Sequence, residues 1–293
     1  MARRKPATTH GLCVVDKPAG VTSHDVVGML RRRFHERQVG HAGTLDPDAT
    51  GVLVVAVGMT TKLLRFIEKT EKRYVGEVVL GTETSTLDSS GEVTATFDMA
   101  AVTLDDARRV AAEHLTGDIM QIPPMVSAIR VDGKRLHELA REGIEIEREP
   151  RPVTISSLTI DAAPDPGVFT IDVTCTAGTY IRTLAADLGH LLGGGAHLRR
   201  LRRTAVGAFT IEESGAPDEC ELLPVETAVR GLTAVVIDQP TAALVGNGRV
   251  LPRFEGVGPW ALFTDDGVLL AVYEPFRDDE AKPSVVLPTA IGR

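Results

Sequence analysis

The feature that most constrains the fold is an apolar run from Val52 to Val57, which is rich in β-branched residues and holds no polar side chain. Such a run is typical of a central strand that is buried on both faces. It is far too short to cross a bilayer as a helix. Of the 293 residues, 43% are hydrophobic and 25% are charged, which is the ordinary balance of a globular protein. The sequence therefore predicts a sheet inside a folded protein and excludes a disordered chain or a rod.

Helical patterns alternate with strand patterns along most of the chain. Thr22 and Ser23 can cap a helix whose apolar positions recur as far as Phe34, and a second capping pattern begins at Thr103. Apolar residues return at helical spacing from Tyr180 to Leu192. Strands are predicted over residues 12–15, 74–80, 154–160 and 168–175.

The last part of the chain has a different pattern. After residue 231 we find short strands only, at Ala234–Ile237, Ala261–Thr264, Val268–Tyr273 and Ser284–Leu287. They predict a small β-barrel-like module of about 60 residues. The acidic stretch Glu212–Pro224, which holds two prolines, looks like a connector. We therefore predict two domains, residues 1–230 and 231–293.

The net charge of −8 is spread unevenly along the chain. Residues 1–80 carry 13 Lys and Arg against 8 Asp and Glu, and residues 151–211 carry 6 against 4. The intervening residues 81–150 and the final residues 212–293 are acidic. A polyanion could bind a surface built from the two basic blocks, although such blocks can also be ordinary solvated faces.

The three cysteines, Cys13, Cys175 and Cys220, are odd in number and widely spaced. No Cys-x-x-Cys pair occurs, so a zinc ribbon or a disulfide framework is not expected, and we predict three reduced thiols. The basic N-terminus has no apolar stretch behind it and does not look like a secretory signal. We expect a cytoplasmic protein.

The most unusual stretch is Gly40–Gly51, GHAGTLDPDATG, which has three glycines and a proline directly before the apolar run. Asp46 precedes Pro47, which favours an extended backbone and pre-aims the carboxylate. The stretch imitates the start of a calcium loop, but Val57 stands where the loop needs Glu. Asp46 is thus either a poised functional carboxylate or the cap of a turn.

Two later stretches carry candidate partners. Tyr180 and Arg182 fall at a helix start, where an arginine could pair with a carboxylate. Farther on, four arginines fall in five positions, interleaved with Leu198 and Leu201: Arg199, Arg200, Arg202 and Arg203. This pattern suits phosphate contacts or a solvated basic face. No nucleotide-binding fingerprint and no metal-binding His spacing occurs, so we expect no cofactor and no metal.

A series of motifs occurs in order over about residues 10–210: Asp16–Ser23 (DKPAGVTS), Gly40–Gly51, Lys72–Gly76 (KRYVG), Pro123–Gly143, and Gly178–Arg182 with Leu201–Arg203. This series resembles the bacterial TruB-type tRNA pseudouridine synthases. Residues 231–293 resemble, more loosely, the RNA-binding PUA domain. Val126 and His137 depart from the family, in which these positions are often aromatic, and so does the pair Thr176-Ala177.

The resemblance implies an α+β fold, in which helices flank a central mixed or antiparallel sheet, with a small β-rich PUA-like domain at the C-terminus. It implies an insertion at about residues 120–150 that grips RNA. The implied reaction is isomerisation of uridine 55 in the T-loop of tRNA to pseudouridine, without a cofactor. The implied partner is the tRNA T stem-loop, bound by a monomer without metal or membrane.

The resemblance also implies roles for individual residues. Asp46 would be the catalytic nucleophile or base, and Arg182 would orient it. Tyr74 would stack on the flipped base and is a candidate for the last proton transfer. The remaining predicted substrate contacts are His41, which would fill the space the nucleotide leaves, together with Tyr180, Leu201, Lys17, Arg199 and Arg200.

Two other functions stay open at this point. One is a non-catalytic RNA chaperone of the same fold that binds and remodels tRNA. The other is a carboxylate-dependent hydrolase, which would need a second catalytic carboxylate near Asp46. Asp48 is too close in sequence to be assigned that role.

Overall fold

The structure is a computed structural model that describes residues 7–127, 130–131, 134–135, 144 and 146–288. The predicted RNA-gripping insertion lies partly outside these ranges, and His137 lies outside them. The chain forms two compact units, one of Met1–Pro47, Gly51–Thr70 and Val206–Arg293, the other of Asp48–Thr50 and Glu71–Ala205. The predicted domains, residues 1–230 and 231–293, divide the chain differently and remain a prediction.

Strand β3 (Thr50–Val57) lies at the centre of the N-terminal part of the first unit. Both β1 (Gly11–Lys17) and β2 (Val39–Ala42) pair with it in antiparallel register. All residues from Val52 to Val57 are fully buried. The prediction of a central strand from this apolar run is therefore confirmed.

Helix α1 (Ser23–Arg33) covers one face of these strands. It begins with a capping box, in which the Thr22 hydroxyl accepts a hydrogen bond from the Asp25 amide at 3.0 Å and the Asp25 carboxylate accepts from the Thr22 amide at 2.8 Å. Its apolar side chains pack in one cluster with residues of β1 and β3: Val26, Val27, Leu30, Cys13, Val15, Leu53 and Val55. A 3-10 helix at Gly58–Leu63 and the short helix α2 (Leu64–Glu68) follow β3.

The second unit is built on antiparallel pairs. The strands β4 (Lys72–Leu80), β11 (Val168–Cys175), β10 (Arg151–Ala162) and β7 (Gly117–Gln121) pair in that order, and β12 (Ala196–Val206) lies on the other side of β4. The unit also contains α3 (Leu104–His114) and α4 (Ile181–Leu191). Its described residues also form two short hairpins, β5 (Thr82–Thr84) with β6 (Val93–Thr96) and β8 (Arg130–Val131) with β9 (Lys134–Arg135). The predicted mixture of strands and helices is confirmed.

The C-terminal part of the first unit is β-rich. After β13 (Phe209–Thr210) come five strands in the order β14 (Thr233–Val236), β16 (Trp260–Phe263), β17 (Leu269–Arg277), β18 (Glu280–Val286) and β15 (Leu251–Pro252). Trp260 and Tyr273 are fully buried in their core. The β-rich module predicted after residue 231 is confirmed.

The prediction that this module contains short strands only was wrong. Residues Gln239–Gly246 form helix α5, which is capped by the Asp238 carboxylate accepting from the Thr241 amide at 2.9 Å. Pro240 lies in the first turn of this helix, where its missing amide hydrogen costs nothing. In the described residues, no helix is both long enough and apolar enough to span a membrane.

Candidate active site

Asp46 lies on the loop between β2 and β3, and both of its neighbours are anchored. Leu45 is buried, and its backbone is held by the Ser23 hydroxyl, which accepts from the Leu45 amide at 2.9 Å and donates to its carbonyl at 3.1 Å. Asp46 itself is partly exposed. The loop thus presents a carboxylate from a fixed backbone.

Lys17, at the end of β1, anchors the other side of the Asp46 loop. Its side chain is fully buried, and its Nζ donates to the carbonyls of Pro18 at 2.8 Å, Val21 at 2.7 Å and Pro47 at 2.8 Å. The Gly20 amide donates to the same Pro47 carbonyl at 3.0 Å. A direct contact between Lys17 and substrate, as the resemblance implies, would require the ammonium group to leave these carbonyls. The structure instead places it under the loop as a support.

His41 lies on β2 and is partly buried. Its backbone is in register with Val55 of β3, whereas Asp46 lies beyond the end of the same strand pair. The structure therefore brings Lys17, His41 and Asp46 into one unit around β1, β2 and β3.

Tyr74, Tyr180, Arg182, Leu201, Arg199 and Arg200 belong to the second unit. Tyr74 is 9% exposed on β4, and Gly76 lies on the same face two residues later. A Cβ atom at Gly76 would lie 3.4 Å from Leu201 Cδ1 and 3.0 Å from the Arg200 carbonyl. Glycine at this position lets β12 approach β4 closely, with the Leu201 side chain against Gly76.

Tyr180 is the residue that precedes α4, and a buried glutamine fixes its backbone. The Gln121 side chain accepts from the Tyr180 amide at 2.9 Å and donates to the Tyr180 carbonyl at 3.2 Å. Gln121 is 1% exposed at the end of β7. The sequence analysis missed Gln121, because nothing local to it marks a partner 59 residues away.

Arg182 lies in the first turn of α4 and is buried. Its Nη1 donates to the Thr86 carbonyl at 3.0 Å, its Nη2 donates to the Val126 carbonyl at 2.8 Å, and its Nε lies 3.6 Å from Asp88 Oδ2. Asp88 is a second residue that sequence reasoning missed. These contacts fix the guanidinium from three sides, and the pairing of Arg182 with Asp46 remains a prediction.

Arg199 and Arg200 are adjacent but differ in environment. Arg199 Nε donates to Glu77 at 2.7 Å and its Nη1 donates to Asp165 at 2.7 Å, and these carboxylates raise the pKa of the guanidinium. The Arg200 side chain is 76% exposed, with Nη1 3.6 Å from Glu77. Of the two predicted substrate contacts, Arg200 is the one with most of its surface available.

Of the predicted site residues, Asp46 in the first unit is a partly exposed carboxylate, whereas the second unit holds the tyrosine rings and the fixed guanidinium groups. Among the described residues, no group of three or more His, Cys, Asp or Glu side chains could hold a metal ion. The Asp46 carboxylate offers acid, base or nucleophilic chemistry.

Comparison with known proteins assigns the class. A model of the TruB family pseudouridylate synthase N-terminal domain matches residues 31–181, and one of the tRNA pseudouridylate synthase B C-terminal domain matches residues 182–222. The chain is thus a pseudouridine synthase, an isomerase. More particularly, it belongs to the TruB family.

Relatives of known name support this membership. The chain is 45% identical over 289 residues to tRNA pseudouridine synthase B of Streptomyces coelicolor. The alignment covers 93% of this chain and 96% of that protein. It is 52% identical over 225 residues to the protein of the same name from Corynebacterium aurimucosum, covering 75% and 74%.

The fold also matches a solved structure. A chain in the crystal structure of a Cbf5–Nop10–Gar1 complex superimposes with a TM-score of 0.73 at 24% identity, covering 96% of this chain and 86% of that one. At this identity, the match shows a shared fold.

Proposed function

We propose that this protein isomerises uridine 55 in the T-loop of tRNA to pseudouridine, with Asp46 as its catalytic carboxylate. The observation that carries the proposal is the Asp46 loop, in which the residues on both sides are anchored by the buried side chains of Ser23 and Lys17. A fixed backbone holds the carboxylate in one geometry before substrate arrives. Relatives that cover nearly the whole chain are named tRNA pseudouridine synthase B.

The reaction breaks the bond between ribose C1′ and uracil N1, and it forms a bond between C1′ and C5. N1 gains a proton and C5 loses one, so atoms and electrons balance within the substrate. No oxidant, reductant or group donor is consumed, which agrees with the predicted lack of a cofactor.

Each proposed role follows from a chemical requirement. The uridine has to leave its loop before its ribose can be reached, and Tyr74 provides an aromatic ring on which the flipped base can stack. Such stacking is typically worth roughly 1–3 kcal/mol per base. Leu201, whose side chain lies against Gly76 of β4, and Tyr180 would line the same pocket.

Asp46 would act as a nucleophile on the ribose or the base, or as the base that removes a ribose proton. Arg182 would orient it through a charge-assisted hydrogen bond. The Tyr74 hydroxyl would remove the proton from C5 after the carbon–carbon bond has formed, and His41 would occupy the space that the nucleotide leaves. We further propose that the protein acts as a monomer in the cytoplasm.

The test is tritium release from an unmodified tRNA transcript labelled at C5 of its uridines. We expect release with the wild-type protein, and no release when position 55 is cytidine. Asp46→Asn should abolish release while tRNA affinity stays within about tenfold, or 1.4 kcal/mol, because one carboxylate contributes little to the grip. Asp48→Asn, which changes an exposed carboxylate two residues away, is the matched control and should remain active.

Measurable turnover by Asp46→Asn would contradict the role of the carboxylate. Tight tRNA binding without any tritium release by the wild-type protein would favour the non-catalytic chaperone.

A further inference from the structure

Two cysteines that are far apart in the sequence meet beside β1. Cys13 lies within β1, and Cys220 lies in the acidic segment that we expected to be a plain connector. Backbone hydrogen bonds tie this segment to β1 at two places. Leu12 and Leu223 exchange bonds of 3.0 and 2.8 Å, and Gly215 bonds to Val14 and Asp16 at 3.1 and 2.8 Å. The segment is therefore docked along β1, and it carries Cys220 to Cys13.

The two thiols lie in one buried cluster. Both belong to the apolar cluster between β1, β3 and α1, where Cys13 is 0% and Cys220 is 2% exposed. The Cys220 thiol donates a hydrogen bond to the Pro217 carbonyl at 3.7 Å. Both are free thiols in this structure.

A cation is fixed on the Cys220 side of the pair. Arg33, in the last turn of α1, donates through Nη1 to the Cys220 sulfur at 3.2 Å and to the Cys220 carbonyl at 2.7 Å. A side-chain hydrogen bond with Cys13 and the charge of Arg33 hold the pKa of Cys220 below its ordinary value, while burial and Asp218 oppose them. The same hydrogen bond and burial raise the pKa of Cys13. The contact with Arg33 thus favours the thiolate form at Cys220 over that at Cys13.

We propose that Cys13 and Cys220 form a peroxide-reactive dithiol site, with Cys220 as the attacking thiol and Cys13 as the resolving thiol. The Cys220 sulfur attacks one oxygen of hydrogen peroxide, the O–O bond breaks, and the leaving oxygen departs as water after protonation. This leaves a sulfenic acid on Cys220. The Cys13 sulfur then attacks the Cys220 sulfur, the S–O bond breaks, and a second water leaves with the Cys13 proton. Two thiols are oxidised to one disulfide, and one peroxide is reduced to two waters.

The third cysteine provides a matched control. Cys175 on β11 is fully buried, and burial raises its pKa to about 11. At neutral pH it is a protonated thiol, which is a poor nucleophile. The proposal uses none of the residues assigned to the isomerisation, so it stands or fails independently of that function.

The test is peroxide treatment of the native reduced protein near neutral pH, followed by acid quenching, denaturation, blocking of the remaining thiols and peptide mass mapping. We expect a cross-linked pair of peptides that contain Cys13 and Cys220, with Cys175 recovered as a blocked thiol. Recovery of all three cysteines as blocked thiols would overturn the proposal, and so would a disulfide that includes Cys175.

Variants separate the two roles. Cys13→Ser should accumulate a sulfenic acid on Cys220 that dimedone traps, whereas Cys220→Ser should leave Cys13 unoxidised. Arg33→Gln should slow the oxidation of Cys220 severalfold, and Arg32→Gln, which alters the exposed neighbour, should not. Dimedone capture at Cys13 in the Cys220→Ser protein would reverse the assignment, and equal rates for the two arginine variants would remove the role of Arg33.

Discussion

Lys17 supports the Asp46 loop through a buried ammonium group. Its removal should therefore lower the stability of the protein more than it changes the tRNA-binding surface. We predict that Lys17→Met lowers the free energy of unfolding, because each buried carbonyl left without a donor costs about 1–3 kcal/mol. The Val21 carbonyl loses its Lys17 donor, whereas the Pro47 carbonyl keeps the Gly20 amide. The measurement is urea unfolding followed by far-ultraviolet circular dichroism.

Lys69→Met is the matched control, because Lys69 is an exposed lysine of the same unit. It should change the unfolding midpoint very little. If Lys17→Met were as stable as the wild type and bound tRNA weakly, Lys17 would be a substrate contact and not a support.

The sequence singles out Asp46, whose catalytic role stays a prediction, but it does not reveal the buried support of the Asp46 loop, and the reason is physical. A proline directly after an aspartate in a glycine-rich loop is a local signal, and the strand after it is local too. The burial of Lys17 depends on three carbonyls that converge from separate turns, and the pairing of Arg199 with Glu77 joins strands 122 residues apart. A lysine or arginine in a sequence looks solvated unless its distant partners are known.

At the scale of elements, one side chain sets the start of α4. Gln121 bonds to both backbone groups of Tyr180, directly before the turn that carries Arg182. We predict that Gln121→Leu lowers kcat for pseudouridine formation while KM for tRNA changes little, because the helix start shifts but the RNA-binding surface remains. Single-turnover and steady-state tritium release would measure the two quantities.

Gln121→Glu should recover part of the lost kcat, because a carboxylate can still accept from the Tyr180 amide. Gln239→Leu, which alters an exposed glutamine in α5, is the control and should behave as the wild type. Equal kcat values for Gln121→Leu and the wild type would exclude a positioning role.

Helices α1 and α5 show how far local signals reach. Thr22 and Asp25 mark the start of α1, and an apolar stripe follows, so its prediction was straightforward. Helix α5 has an equally local start in Asp238 and Pro240, but only eight residues and no strong apolar stripe. The sequence analysis predicted no helix here, because it considered the surrounding β-branched runs and overlooked the cap.

At the scale of the whole molecule, the net charge of −8 does not decide RNA binding. Screening at physiological salt acts within about 8 Å, so only cations that touch phosphate release counterions. We predict strongly salt-dependent tRNA binding, in which Arg200→Gln lowers the slope of log affinity against log salt by about 0.7 to 0.9. Titration of unmodified tRNA transcript at several salt concentrations is the measurement.

Arg199→Gln is the matched comparison and should change the slope less, because Glu77 and Asp165 already neutralise its guanidinium. In the other basic run, Arg33 is engaged with Cys220, so Arg32 is the better candidate for phosphate contact. A slope near zero for the wild-type protein would refute a binding face made of the basic blocks.

Because the 214–223 segment docks on β1, the edge of β1 stays without this partner until late in translation. At about 5–20 residues per second, roughly 10–40 s pass between synthesis of Leu12 and of Leu223, its backbone partner. All of Glu71–Ala205 is synthesised within that interval, so the second unit is complete first. A nascent chain released before Leu223 would hold a finished second unit and a β1 with an open edge, which is a template for pairing with another chain.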